Sequence, residues 1–173
     1  DGSDDDLSFV DGASDVVLDS TYKEYLFIFS NIHPETDEVQ FQFNASIDSG
    51  SNYNVASTST FFAAYHDEAD TDTSLAYEAT KDLAQGTGFE TLSWDTGNGN
   101  DECCSGYLHL FNPSSTTFVK HFIASTNDYH SENFSIVGHK AGYFNTTSAV
   151  DAVQFKFDSG EIQGGTISLY GIN

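Results

Sequence analysis

The chain has 173 residues, 38% hydrophobic, 14% aromatic and 18% charged, and its 27 Asp and Glu face five lysines and no arginine, for a formal net charge of −22. Fifteen Phe and nine Tyr can fill the core of one folded domain, which argues against an acidic disordered chain. Five scattered lysines cannot form the basic footprint that nucleic acid or an anionic membrane requires, and no apolar run reaches the ~20 residues of a spanning helix.

Asp1 to Asp6 opens the chain as an acidic lead-in. Residues 1–15 are expected to be a lead-in or linker end ahead of one domain over 16–173. With no methionine anywhere, the chain reads as a piece of a longer product. Tyr25 to Phe29 is apolar on both faces, as a central strand would be. Val39, Phe41, Phe43, Ala45 and Ile47 then share one face, with Gln40, Gln42, Asn44 and Ser46 opposite, the period of a half-buried antiparallel strand. Asp48 to Asn52 is a turn, Phe61 to Tyr65 a strand, and Phe89 to Trp94 a weaker one. Tyr107 to Phe111 and Phe118 to Ile123 are strands flanking the turn Asn112-Pro113-Ser114-Ser115. Val153, Phe155 and Phe157 repeat the alternation, and Thr166 to Ile172 is a last strand after the glycine-rich Gly160 to Gly165. No segment keeps a convincing helical period. The expected fold is all-β, an antiparallel, jelly-roll-like β-sandwich with little or no helix.

Asp37-Glu38-Val39-Gln40-Phe41-Gln42-Phe43 echoes Asp151-Ala152-Val153-Gln154-Phe155-Lys156-Phe157. Two strands meeting similar packing demands explain the echo better than a duplicated unit, because a solenoid needs more and closer copies.

The catalytic templates are missing: no Gly-x-Ser-x-Gly elbow, no His-Glu-x-x-His helix and no phosphate loop. His130-Ser131-Glu132 opens like a zinc deaminase motif, but no Pro-Cys-x-x-Cys follows. A carboxylate pair can always be drawn from so many acids, so it carries no information without a measured separation. Asp70-Thr71-Asp72-Thr73-Ser74 has the one-three-five spacing of a calcium loop, yet Leu75 stands where the glycine belongs and Lys81 where the glutamate belongs. The candidate metal ligands are therefore Asp67, Glu68, Asp70 and Asp72, beside His66, as an irregular calcium site, with Asn98 to Glu102 as a second acidic loop. Otherwise no cofactor is expected.

Cys103 and Cys104 are adjacent and read as two reduced thiols in a loop. A vicinal disulfide, a cross-chain bridge and a soft-metal site remain open alternatives. The scattered histidines, among them His33, His109 and His121, read as structural, and most tyrosines as core. Asn44, Asn133 and Asn145 open N-glycosylation sequons, which chance supplies in a chain this rich in Asn, Ser and Thr. Abundant carboxylate keeps a surface soluble and self-repelling, at least cost in salty water where the Debye length shrinks to a few ångströms. That suits a saline, extracellular or particle-surface setting.

Five short segments stand in order along the chain: Asn31-Ile32-His33-Pro34, Gly50-Ser51-Asn52-Tyr53-Asn54, Thr60-Phe61-Phe62-Ala63-Ala64-Tyr65-His66, Leu110-Phe111-Asn112-Pro113-Ser114-Ser115-Thr116-Thr117 and Gly165-Thr166-Ile167-Ser168-Leu169-Tyr170-Gly171-Ile172. Together, from about Tyr22 to the end, the series resembles a group of structural proteins of marine tailed bacteriophages, cyanophages in particular. The resemblance implies a virion component with a β-sandwich fold and no catalytic residues to carry over.

The expected function is a non-enzymatic virion subunit at the particle surface, on the capsid or in a tail or fibre appendage. Its expected partners are copies of itself and a major capsid or tail protein, without nucleic acid or membrane insertion. The alternative is a carbohydrate-binding adhesion module for a host-surface glycan, with calcium as its candidate cofactor. A glycan depolymerase is the weakest reading.

Overall fold

The structure, a computed structural model, describes residues 4–173; Asp1, Gly2 and Ser3 of the acidic lead-in lie outside the described residues. The chain forms β1 (Leu7–Val10), β2 (Glu24–Pro34), β3 (Phe41–Ser46), β4 (Ser57–Asp67), β5 (Thr73–Tyr77), β6 (Ala84–Gly86), β7 (Glu90–Thr91), β8 (Cys104–Phe111), β9 (Lys120–His130), β10 (Phe134–Phe144), β11 (Ala152–Phe157) and β12 (Ile162–Ile172). No helix occurs among the described residues. The small sheet has the order β1-β11-β3-β7, and the large one β12-β2-β8-β9-β10-β4-β5 with β6 attached to β4. The strand pairs are antiparallel throughout. This is the expected all-β, antiparallel sandwich. Its first four strands alternate between the sheets, and β8, β9 and β10 form a meander in the large one.

The alternating phenylalanines make the core. Phe27 and Phe29 of β2 meet Phe41 and Phe43 of β3 and Phe155 and Phe157 of β11 between the sheets, all essentially buried. Phe155 lies at the centre. Its ring is within 5.1–6.2 Å of Phe9, Phe27, Phe29, Phe41 and Phe43. Each buried Phe contributes ~1.5–3 kcal/mol by removal from water alone, and the edge-to-face contacts add to that.

The echo between Asp37–Phe43 and Asp151–Phe157 has a spatial meaning. Its strand portions, β3 and β11, are neighbours, with Phe43 opposite Phe155 and Phe41 opposite Phe157. Similar strands meet because each offers the same face to the same core.

Three expectations are corrected. The segment 1–15 is not simply a lead-in: Leu7 to Val10 form β1, pairing Leu7 with Phe155 and Val10 with Ala152, and Phe9 packs 5.3 Å from Phe27. The polar face of β3 looks onto water only in part: Gln42 is half-buried, whereas Asn44 and Ser46 are fully buried. The Asn44 amide donates to the carbonyls of Thr87 and Gly88, pinning the chain before β7 across the small sheet. This also withdraws the Asn44 sequon from the surface. Finally, β10 is a full strand where no element was expected.

β10 was hidden by its inward face, which reads Ile136, Gly138, Lys140, Gly142 and Phe144. The glycines are needed there. A Cβ at Gly142 would sit 2.6 Å from the Phe122 ring and 2.7 Å from the Thr58 carbonyl, so that ring and the β4 backbone occupy its place.

Candidate functional site

Alternation along the large sheet sends one set of side chains into the core and the other to the molecule's outer face. Strand register aligns the outward set in rows. One row runs Tyr170, Leu26, His109, Ile123, Ala141, Thr60. The next runs Ser168, Ile28, Tyr107, Ser125, His139, Phe62, Tyr77. Val137, Ala64 and Leu75 follow beyond them.

The outward face of an antiparallel sheet is normally polar. Here Phe62, Leu75, Tyr77, Tyr107, Ile123 and Tyr170 are each 40–72% exposed on one surface. Glu24 is the single carboxylate at an outward position of these strands, and its Oε2 lies 3.0 Å from Nε2 of His109. No lysine shares the face. Four of the six histidines do, namely His66, His109, His121 and His139. Three of them pair with rings: His109 with Phe111 at 4.2 Å, His139 with Phe62 at 5.1 Å and His121 with Tyr143 at 5.9 Å. Around Ala141 and Gly142 the small side chains leave a depression of about 440 Å³ bordered by His121, Ile123 and Tyr143.

This face also corrects the reading of the tyrosines as core. Tyr25 is the one fully buried tyrosine, whereas Tyr77, Tyr107 and Tyr170 look outward. Their periodicity was legible, but the face they occupy depends on which other residues of the strand turn inward.

The chain's cations lie elsewhere. Lys140 is buried at an ion pair with Glu90, 2.5 Å apart, and donates to the Lys81 carbonyl. Ser57 and Ser59 each donate to Glu90 at 2.7 Å, so the pair is fully partnered. Lys81 reaches Asp95 and the Trp94 carbonyl at 3.3 Å. Lys120 donates to the carbonyls of Phe118 and Thr146, and Lys156 lies 4.6 Å above the Phe89 ring. Most of the positive charge is thereby tied into the fold, and the exposed charge is carboxylate gathered at loops.

The calcium candidates occupy the turn between β4 and β5. Asp67 serves the turn itself: its Oδ1 accepts from the amides of Thr71 and Asp72 and its Oδ2 from the Thr71 hydroxyl. The Thr71 hydroxyl and these amides hold its carboxyl down at about 2. Asp70 pairs with His66 at 3.1 Å, and Glu68 accepts from the Tyr129 hydroxyl. Asp72 contributes its amide to Asp67. Among the described residues no three His, Cys, Asp or Glu side chains converge on a point that a metal would occupy. In the second acidic loop Glu102 Oε2 accepts from the Gly99 amide, and its carbonyl lies 2.6 Å from Nδ1 of His33, a structural contact.

Cys103 and Cys104 are both free. Cys103 precedes β8 and is half-exposed, whereas Cys104 opens the strand. Cys104 is fully buried beside Asp128, Ser93 and Thr96, and burial pushes its thiol well up. Asp128 was not singled out from sequence. It sits on β9 opposite Cys104 of β8, buried on the inward face, with Oδ2 unpartnered and Oδ1 3.4 Å from the Trp94 amide. Desolvation raises its carboxyl to about 7. The inward position of an acid in an apolar alternation was the available signal.

No family model and no curated protein matches this chain. Among solved structures, the chain is similar to a crystal structure of a Bacteroides ovatus protein of unknown function. The match has 6% identity and a TM-score of 0.32, and covers 69% of this chain and 46% of that one. A likeness of that size assigns no function.

Proposed function

We propose that this chain is a non-enzymatic assembly subunit of a phage particle surface. In this reading it decorates a capsid or builds a tail appendage by packing the outer face of its large sheet against a neighbouring subunit. The observation that carries the reading is the separation of charge. In a chain of net charge −22, the outward side of seven adjacent strands holds one carboxylate, already beside a histidine, and six large exposed hydrophobics. Large hydrophobics gathered on one nearly uncharged face mark interaction sites, because leaving them in water forfeits the free energy of burial. The series of motifs resembling marine phage structural proteins supplies the setting. The acidic loops suit a surface that stays soluble in salty water. The test is quantitative mass spectrometry of purified particles, in which the chain is expected as a stoichiometric component; its absence from particles would sink the proposal.

A second reading, a glycan-binding adhesion module, is favoured by one feature. Tyr77, Tyr107 and the Phe62–His139 pair lie beside Ser125 and Ser168 on the same face. Flat rings next to neutral hydroxyls are the chemistry on which sugars stack. Glycan-array binding that Tyr107→Ala abolishes would move the assignment to that class.

A further inference from the structure

We infer that the outer face of the large sheet is a homotypic interface, on which a second copy of this chain stacks face to face with its strands antiparallel. The inference rests on the reading of this face as an assembly surface and names the partner.

Size is the first argument. Seven strands spaced about 4.8 Å apart span about 29 Å, and the eight-residue β8 runs about 27 Å, for a face of roughly 780 Å². One side of a stable protein interface buries about 800 Å². A short glycan would leave most of such a face uncovered.

Charge is the second. A basic partner would be drawn to the acidic loops and would find nothing to pair with on this face. A second copy has the matching property: apposing two such faces brings no pair of like charges together, although each chain is strongly acidic. Glu24 is the exception, and His109 stands beside it in each copy.

The uneven distribution of the remaining acid favours one orientation. Asp67 ends β4 and Glu68, Asp70 and Asp72 follow it, Glu132 lies between β9 and β10, and Glu102 precedes β8, so all six gather at one end of the sheet. The other end carries less: the 112–119 loop has no carboxylate, Asp151 closes the β10–β11 connection and Asp19 precedes β2. A two-fold axis lying in the interface and perpendicular to the strands puts the two acidic ends on opposite sides of the dimer. An axis parallel to the strands would place them together. Sheets stacked in this way pack about 10 Å apart, the axis crosses every strand, and the central β9 of one copy lies over β9 of the other. Ile123 and Ser125, outward on β9, then meet their own copies or close neighbours of them.

The test is sedimentation velocity of the full chain from ~1 to ~500 µM. A reversible dimer is expected, tightening as salt rises from ~0.05 to ~0.5 M because screening relieves the net repulsion of two acidic bodies. Ile123→Asp, which buries two unpaired charges at the centre of the face, is expected to weaken dimerisation about 100-fold or more. Ser125→Glu is expected to act likewise. Ile47→Asp, a comparably exposed position after β3, is expected to leave dimerisation unchanged. These positions are solvent-exposed or half-exposed, so each variant should keep the parent's circular dichroism and melting transition. A chain that stays monomeric across this range, or an Ile123→Asp variant that sediments like the parent, overturns the inference. So does a monomer whose face binds glycan. A monomer that is nevertheless present in particles leaves the assembly reading standing with a different partner. A dimer absent from particles does the reverse.

Discussion

Replacing Asp128 by Asn should stabilise this protein at neutral and alkaline pH and not at acidic pH. Asp128 projects from β9 into the interior, opposite Cys104 on β8 and Ile136 on β10. Of its two oxygens, Oδ2 has no partner and Oδ1 has the Trp94 amide at 3.4 Å. Burial is the largest influence raising its carboxyl to about 7; Asp95 also raises it, whereas the amides of Trp94 and Asp95 and the charge of Lys81 work in the other direction. In the unfolded chain the group has an ordinary value of about 3.9. The folded state therefore binds the proton more tightly, so the stability linked to this group is complete below about pH 3.9, declines as pH rises, and is lost above about pH 7. The interval of about three units, at 1.36 kcal/mol each, corresponds to roughly 4 kcal/mol.

Urea unfolding followed by the fluorescence of Trp94, the sole tryptophan, reads this directly. The chain's isoelectric point is about 4.1, so measurements from about pH 5 upward avoid precipitation. Over that window the variant should gain on the parent by about 1.4 kcal/mol per pH unit up to pH 7, roughly 3 kcal/mol in all, and then run level. Taking the difference between two otherwise identical chains cancels the titration of the other acids. A gain that does not vary with pH, or a loss at pH 8, would refute the placement of Asp128 as an unpaired buried carboxyl.

Four further outcomes are expected. Phe155→Ala removes the ring that five other phenylalanines surround and should cost about 3–5 kcal/mol in chemical denaturation. Glu90→Gln and Lys140→Met should each destabilise by about 3–5 kcal/mol through the charge left buried, while the double replacement should be much closer to the parent. Cys103 should react with a thiol reagent in the native state and Cys104 only after unfolding, as mass-counted labelling over a urea series would show. Millimolar calcium should leave the melting temperature unchanged, because the Asp67 oxygens already close the β4–β5 turn; a calcium-dependent rise would restore that loop as a metal site.

β3 and β11 were legible from alternation, visible in Phe41 and Phe43 or Phe155 and Phe157 without knowledge of any partner, and β2, β4, β8, β9 and β12 from short apolar runs bounded by turn residues, which are equally local signals. β10 was not legible. Gly138, Lys140 and Gly142 occupy inward positions where the pattern calls for apolar residues, and each is explained by something distant: the Phe61 ring, Glu90 and the Phe122 ring. β5 was obscured in a similar way, since Leu75 and Tyr77 look outward and the acidic turn before it drew attention to metal chemistry.

The candidate site lay still further from the sequence. Tyr107, Ile123, Phe62 and Tyr170 each sit in a readable strand, and an apolar residue in a strand is ordinarily core. That they join on one exposed face follows from register between strands far apart in sequence, such as Ala63 of β4 against Gly138 of β10. The sequence by itself determined the class of fold, the acidity and the phenylalanine faces, because side-chain alternation and composition act residue by residue. Tertiary structure alone decided which sheet each strand joined, where the lysines were buried and which side of the large sheet was left bare. Those outcomes are set by pairing and packing among residues that no local pattern connects.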